Sequence, residues 1–408
     1  MIDFKHINKL LSIHPKGTTL DVLDLGIVEN SQLKITDLDY KLLLNDVPLE
    51  NDSIISIPEY RKNKNLIASC VDNHTKENFP DSLEKKNSET LPKDLFGDIS
   101  LFTNYTSSDF SSRQILTGIY YDLKNGEMCA TNGNILHKRI LTSEKIQNSF
   151  VISRVYSNVI QYIHDKLDIS EIKLWDKEPF TTDENEKEQI LEICFDGGII
   201  EFICLVGQYP EYNRVIPDID NDKLVKLSSD DKKYLLDVIS TMNKYTPVTG
   251  AIYFFDNNIV ACQKEDKIFY TELKNNPFKY VEIKYVNGEL LKQIFSDVKE
   301  DSTIYCKPNV GPCVIYNNDD TYILMPLRYE DDIVKCVQDN FSDGIHIDIE
   351  VSKPKNKIKS KRETRNDVVD SCIDVIKNIP NYNNNDLKWS RALKYAVKTL
   401  INKKKENW

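Results

Sequence analysis

The residues best placed to do chemistry in this chain are scattered thiols and imidazoles, a recurring set of basic side chains, and the aromatic stretch GQYPEYNRVIP at 207–217. The histidines, His6, His14, His74, His137, His164 and His346, are dispersed, with no spacing that would gather a metal ion. Nine cysteines stand singly, and the nearest pair is Cys306 and Cys313 in CKPNVGPC. This is the pattern of reduced thiols in a cytoplasmic protein. No P-loop, GxSxG or HExxH motif occurs. Gly197 and Gly198 in CFDGGIIEF read as a hairpin turn, and Asp319 and Asp320 as turn residues. The sequence therefore points away from catalysis, and implies neither cofactor nor metal.

Binding chemistry is better supported. In 207–217, Pro210 and Pro217 fix φ and withhold backbone donors, so the segment is predicted as a stiff, extended connector, neither helix nor central strand. It carries Tyr209, Tyr212 and Arg214 directly after the apolar run Ile199–Val206. The net charge of −11 repels nucleic acid and acidic membranes at long range, so contact with DNA requires a local basic surface. Candidates are Lys5, Lys9, Arg61, Lys62, Lys64, Arg154, Lys166, Lys232, Lys233, Lys244 and Lys292. Each lies on the polar face of a predicted helix, among acids such as Asp165, Asp230, Asp231, Asp237 and Glu289. A solvated face is the ordinary use of such residues. Their recurrence in three units of an acidic chain favours a basic channel with sequence-independent phosphate contacts.

The elements that must position these residues repeat. Similar segments begin at Leu23, Leu116 and Thr249, each a strand-like run, a turn rich in Asn, Asp or Gly, and a second run. Asn125–Gly126 is a strong hairpin signal. Apolar stripes of helical period flank them: Phe4, Ile7, Leu10 and Leu11; Leu95, Ile99 and Phe102; Tyr156, Val159, Ile160, Ile163 and Leu167; Leu235, Val238, Ile239 and Met242; Leu290, Leu291, Ile294 and Val298. Ser228 with Asp231 forms a capping-box pattern. PEYRKNKNLIAS, from Pro58, is a weaker helix candidate. Each unit reads helix, hairpin, helix, further strands.

In this order and on this repeat, three segments resemble the bacterial-type DNA polymerase sliding clamp, the β-clamp. They are CATNGNILHKR (129–139), GQYPEYNRVIP (207–217) and YILMPLRY (322–329). The resemblance covers about residues 1–330, most closely from 90 onward. It implies an α+β, three-domain clamp with antiparallel sheets outside and helices lining a channel. It implies a homodimeric ring around double-stranded DNA, and a groove that captures an extended peptide from the DNA polymerase or clamp loader. Carried over residue by residue, the groove is Leu116, Thr131, Gly133, Leu136, Pro210, Arg214, Val215, Met325, Pro326, Leu327 and Arg328. Asn134 and Ile135 stand where the family has His and Arg, which removes two polar rim groups.

The implied domains are 1–88 (shortened, with too few residues for its full set of strands), 89–220 and 221–335, with an extension at 336–408. In that extension, IHIDIEV (345–351) reads as one more strand and KPKNKIKSKRETR (353–365) as a basic linker. Two helical stripes follow, around Val368–Ile379 and Trp389–Leu400. The short first domain and the extension suggest a divergent relative, such as one encoded by a virus or phage. No apolar run approaches the ~18 residues of a membrane span, and MIDFKHINKL is no signal peptide, so a cytoplasmic location is expected. The expected function is a processivity factor with no enzymatic activity. The alternative is a clamp-derived scaffold that recruits replication or transcription machinery without encircling DNA.

Overall fold

Three copies of one four-stranded unit organise the molecule, and neighbouring copies are joined by shared sheets. The computed structural model describes residues 4–13, 25–36, 40–47, 49–57, 68–70, 85–109, 113–141, 148–177, 188–246, 250–265, 267–298, 301–308, 311–327 and 344–349. The expected basic linker and the two helical stripes beyond it lie outside the described residues.

The first repeat holds α1 (Phe4–Ile13), β1 (Leu25–Glu29), β2 (Gln32–Thr36), β3 (Tyr40–Leu44), β4 (Ser53–Ser56) and β5 (Ala68–Cys70). The second opens with β6 (Lys85–Thr90) and the short helix α2 (Ile99–Phe102). It continues through β7 (Gly118–Asp122), β8 (Glu127–Thr131), β9 (Ile135–Ile140), β10 (Phe150–Ser153) and α3 (Ser157–Lys166). It ends with β11 (Ile169–Lys177), β12 (Gln189–Phe195) and β13 (Gly198–Ile203). The third holds β14 (Val225–Leu227), α4 (Ser229–Met242), β15 (Ala251–Phe255), β16 (Ile259–Lys264), β17 (Lys267–Glu272) and β18 (Ile283–Asn287). It closes with α5 (Gly288–Asp297), β19 (Ser302–Cys306), β20 (Cys313–Asn317) and β21 (Asp320–Leu324), and is followed by β22 (Ile345–His346).

In every repeat a three-stranded meander carries a fourth strand on its first member, giving the orders β4-β1-β2-β3, β10-β7-β8-β9 and β18-β15-β16-β17. The second and third repeats add another meander, β11–β12–β13 and β19–β20–β21, flanked by β6 and β14. In the first repeat the described residues after β4 supply only β5, which pairs with β4. Ala68 and Ser69, at the end of the expected PEYRKNKNLIAS helix, are in that strand; the rest of that segment lies outside the described residues.

Sheets cross from one repeat to the next at two joints. At the first, β3 pairs antiparallel with β13, from Leu44↔Gly198 to Tyr40↔Phe202. At the second, β9 pairs antiparallel with β21, from Arg139↔Asp320 to Ile135↔Leu324. Strand alternation sets which side chains enter the core: in β3, Tyr40, Leu42 and Leu44 are buried while Lys41 and Leu43 are less so. Cys306 and Cys313 also oppose one another across β19 and β20, their free thiol sulfurs 2.7 Å apart.

The predicted helical stripes are the buried faces. Ile7, Leu10 and Leu11 of α1, Tyr156, Val159, Ile160 and Ile163 at α3, Leu235, Val238, Ile239 and Met242 of α4, and Leu291, Ile294 and Val298 at α5 enter the core, whereas Leu167 and Leu290 are half-buried and Phe295, outside the predicted stripe, is buried. α1 packs on α3, where His6 and Tyr162 hydrogen bond at 2.8 Å, and α4 packs on α5. The Ser228–Asp231 capping box starts α4 as predicted. Asn125 and Gly126 turn β7 into β8, with Gly126 at φ 68°, and Gly197 at φ 89° turns β12 into β13. Among the described residues no helix is long and apolar enough to cross a membrane.

Candidate peptide groove at the second joint

The site is built where β8, β9, β21 and the connector meet. At the end of β8 the chain reverses into β9 over Asn132–Asn134. The Asn132 carboxamide oxygen accepts from the Asn134 and Ile135 N–H groups at 2.9 and 3.1 Å, which is how a short polar side chain holds a turn. Thr131 donates its hydroxyl to the Ile135 carbonyl at 2.7 Å and accepts from Gly133 N–H at 3.1 Å. Gly133 has φ 90°, a conformation open to glycine. Across the joint, Met325 N–H donates to the Asn134 carbonyl at 2.8 Å, so β21 leaves the sheet directly beside this turn.

Two tyrosines fasten the connector. Tyr209 stacks on Tyr120 with ring centroids 4.8 Å apart, and its hydroxyl accepts from Thr131 N–H at 3.1 Å. The Tyr212 hydroxyl lies 2.8 Å from Asp122 and 2.7 Å from Glu127. Burial and these two carboxylates both push the Tyr212 phenol well up, keeping it protonated as a donor. The expectation of a wholly extended connector is corrected here: Tyr212–Val215 is a single 3₁₀ turn. Prolines still bracket it, but between them Arg214 N–H reaches the Glu211 carbonyl at 3.1 Å and closes a turn.

The result is an apolar cavity of about 150 Å³ lined by Arg113, Leu116, Thr131, Gly133, Ile135, Leu136, Pro210, Glu211, Tyr212, Val215, Ile323 and Met325. Seven of the carried-over residues meet there: Leu116, Thr131, Gly133, Leu136, Pro210, Val215 and Met325. The others do not. Arg214 is 80% exposed, pairs with Glu211, and borders a separate, more polar cavity of about 590 Å³ with Asp122 and Lys124. Successive side chains of a 3₁₀ turn point about 120° apart, and here Val215 faces the cavity while Arg214 does not. Pro326 and Leu327 continue beyond Met325 without lining the cavity, Leu327 N–H being bonded to the Tyr285 carbonyl at 2.9 Å. Arg328 lies outside the described residues.

Sequence reasoning missed Arg113, Glu211, Tyr212 and Ile323 as lining residues, and read Ile135 only as a lost polar group. Ile135 is 1% exposed and supplies wall, replacing rim polarity by apolar surface. Strand alternation from Met325 could have found Ile323; nothing in the sequence marks Arg113.

Beneath the groove the joint has its own charged core. His137 of β9 lies between the rings of Phe102 and Tyr322, at 3.9 and 4.3 Å, and its Nε2 is 2.7 Å from Asp320. Arg139 grips Asp320 through Nε at 2.7 Å and Nη2 at 3.0 Å. Burial pushes the His137 imidazole down, outweighing the nearby carboxylate. Burial alone would raise Asp320, but hydrogen bonds from His137 and Arg139 hold it below the usual carboxylate range.

The basic candidates separate as well. Lys5, Lys9, Lys166, Lys233 and Lys244 are exposed, and Arg154 and Lys292 are half-buried, Arg154 donating to the Ser107 carbonyl at 3.3 Å. Lys232 is a correction: it is 7% exposed, and its ammonium donates to the Val298 carbonyl. It sits on the core side of α4, where its stem packs and its charge takes up a carbonyl at the end of α5. Arg61, Lys62 and Lys64 lie outside the described residues.

No family model and no curated relative matches this chain. Solved structures do. The chain resembles the DnaN sliding clamp (DNA polymerase III subunit beta) of Pseudomonas aeruginosa bound to griselimycin, with TM-score 0.60 and 15% identity, over 80% of this chain and 98% of that one. It resembles the DNA polymerase III beta subunit of Thermotoga maritima, with TM-score 0.60 and 14% identity, over 79% and 97%. It resembles the Bartonella birtlesii DnaN sliding clamp, also bound to griselimycin, with TM-score 0.60 and 17% identity, over 80% and 98%. This is the β sliding-clamp fold. At such identity the likeness is one of fold, so the cavity at the second joint must be read from this chain's own residues.

Proposed function

We propose that this chain is a DNA sliding clamp that holds a partner, through a short extended peptide, on the duplex it surrounds. The observation that carries the proposal is the apolar cavity at the second joint, where strand ends, a proline-stiffened connector and Met325 converge. Its walls are fixed by sheet pairing and two buried tyrosines, so little conformational entropy is lost when a peptide enters. Met325 is a soft contact able to serve several partners, and Arg113 at the margin offers a donor for a peptide carbonyl or carboxylate. Lys5, Lys9, Lys166, Lys233 and Lys244 are the exposed cations for phosphate contact, which would be independent of base sequence and weakened by salt. The clamp catalyses nothing itself; tethering raises the local concentration of a polymerase at its template.

The test has two arms. A labelled C-terminal peptide of the replicative polymerase should bind the wild type and lose affinity on Met325→Ala. The protein should be retained on closed circular DNA and released when the circle is cut. Equal retention on both would exclude topological linkage. A scaffold that does not encircle DNA is the second reading, favoured by one observation: among the described residues the first repeat has no second meander to offer a ring joint.

A further inference from the structure

CKPNVGPC, residues 306–313, takes no part in the groove. Its two cysteines end β19 and begin β20. Cys306 and Cys313 face one another across that strand pair, and one step further on Lys307 N–H donates to the Pro312 carbonyl at 3.0 Å. Antiparallel partners alternate between those that exchange main-chain bonds and those that do not. Lys307 and Pro312 hold a bonded position, so Cys306 and Cys313 hold a non-bonded one, where side chains come closest. Both are buried, Cys306 at 6% exposure and Cys313 at 0%, and the Cys306 thiol donates to the Cys313 sulfur.

A buried cation completes the cluster. Lys284 of β18 is fully buried, and its ammonium donates to the Lys307 carbonyl at 2.7 Å and to the Gly311 carbonyl. It is thereby fixed at the closed end of the hairpin, beside the two thiols. Burial alone would raise the Cys313 thiol, but the hydrogen bond from Cys306 and the Lys284 ammonium outweigh it and bring the thiol down. Burial acts without such opposition at Cys129, Cys194, Cys204 and Cys262, whose thiols are all pushed up. Thiol–disulfide exchange needs a sulfur available as thiolate and a second sulfur within its reach, and among these six cysteines only the hairpin pair has both.

We propose that Cys306 and Cys313 are a modification site, which exchanges with a low-molecular-weight disulfide to form a reversible cross-strand disulfide. Cys306, the more exposed, loses its proton and attacks one sulfur of the small disulfide. That S–S bond breaks, and the first small thiolate leaves and takes up the proton. The Cys313 thiolate then attacks the Cys306 sulfur of the mixed disulfide, with the Lys284 ammonium facing its charge. The second small thiolate leaves and takes up the proton that Cys313 gave up. Two thiols of the chain are oxidised, and one small disulfide is reduced to two thiols. Non-bonded antiparallel partners stand with Cα atoms about 4.5 Å apart, at the short end of the span of about 4.4–6.8 Å that a disulfide bridges. A bond forced into that spacing is readily reduced again, so the pair stays dithiol in a reducing medium and closes under oxidation. The proposal does not depend on the clamp reading.

The experiment equilibrates the full, folded chain with oxidised and reduced glutathione over a series of ratios. Free thiols are then alkylated, and peptides are mapped by mass spectrometry without reduction. A peptide pair joined through Cys306 and Cys313, lighter by two hydrogens, should appear as the oxidised fraction rises and vanish when reduced glutathione is restored. Its equilibrium constant should be at least about tenfold larger in the folded chain than in the chain unfolded by urea, because folding alone brings the two sulfurs together. By linkage, the oxidised protein should unfold at higher urea than the reduced one. Cys313→Ser should stop at a single glutathione adduct on Cys306, with unchanged circular dichroism. Thiols at 306 and 313 that stay free at the highest oxidant ratio would overturn the proposal. So would a bond formed equally well in the unfolded chain, or one that joins Cys306 or Cys313 to a different cysteine.

Discussion

Tyr209→Phe tests how the groove is held open. Tyr209 is 7% exposed, and its hydroxyl accepts from the buried Thr131 N–H at 3.1 Å. Burial pushes this phenol up, so it stays neutral and the bond persists across ordinary pH. The substitution deletes one oxygen and leaves the ring stacked on Tyr120. Its effect is therefore that of an N–H stripped of its acceptor, about 1–3 kcal/mol for a buried donor. At 3.1 Å the bond is near the long end of the usual range of about 2.7–3.2 Å, which favours the lower part, about 1–2 kcal/mol. Thr131 and Pro210 both line the cavity, on the two elements this bond ties together. Loosening it should lower affinity for a groove peptide by up to about tenfold, or about 1.4 kcal/mol. Urea unfolding with linear extrapolation gives the stability change, and peptide titration gives the second. A variant indistinguishable from wild type in both would refute the idea that Tyr209 positions the connector.

Val215→Ala combined with Met325→Ala should weaken peptide binding by about 1–4 kcal/mol, as loss of interface anchors does, with the urea midpoint nearly unchanged; titration calorimetry reads the first and urea unfolding the second. Lys233→Glu should reduce DNA retention and its salt dependence without altering stability, whereas Lys232→Glu should destabilise the fold, because that side chain is buried against Val298; paired unfolding and DNA-retention assays separate them. His137 should make the joint acid-sensitive. The unfolded chain protonates this imidazole near its ordinary value of about 6.5, while the folded state, with Phe102, Tyr105, Tyr322, Arg139, Asp98 and Asp320 around it, resists. Stability should therefore fall as pH drops below about 6.5 towards the lowered folded value, and His137→Gln should flatten this part of the profile. Asp320, also held low, contributes stability that is lost only at more acid pH, as pH falls through its folded value. Urea midpoints at pH 7.5 and pH 5.5 that shift equally in wild type and His137→Gln would remove His137 as the cause.

What the sequence determined by itself was local and periodic. The apolar stripes of α1, α3, α4 and α5 became buried faces because a 3.6-residue period leaves only one side of a helix able to leave water. Gly126, after Asn125, and Gly197 turned their hairpins because glycine adopts positive φ at low cost. Pro210 stiffened the connector, and the threefold repeat with its three family-like segments led to the clamp fold.

Tertiary structure decided what local pattern leaves open. Lys232 and Lys233 are neighbours of one residue type, yet a helix turns about 100° between them, and the packing of α5 against α4 selects which one is buried. Ile135 became cavity wall and Arg214 left the cavity because strand pairing of β9 with β21, and one 3₁₀ turn, set their directions. The joints link residues far apart in sequence, Tyr40 to Phe202 and Ile135 to Leu324. Backbone hydrogen bonds name no partner in advance, so a strand's own residues do not say which edge it will meet. For the same reason the sequence could offer 345–351 as a strand, while only the folded chain placed Ile345 and His346 on the β17 edge.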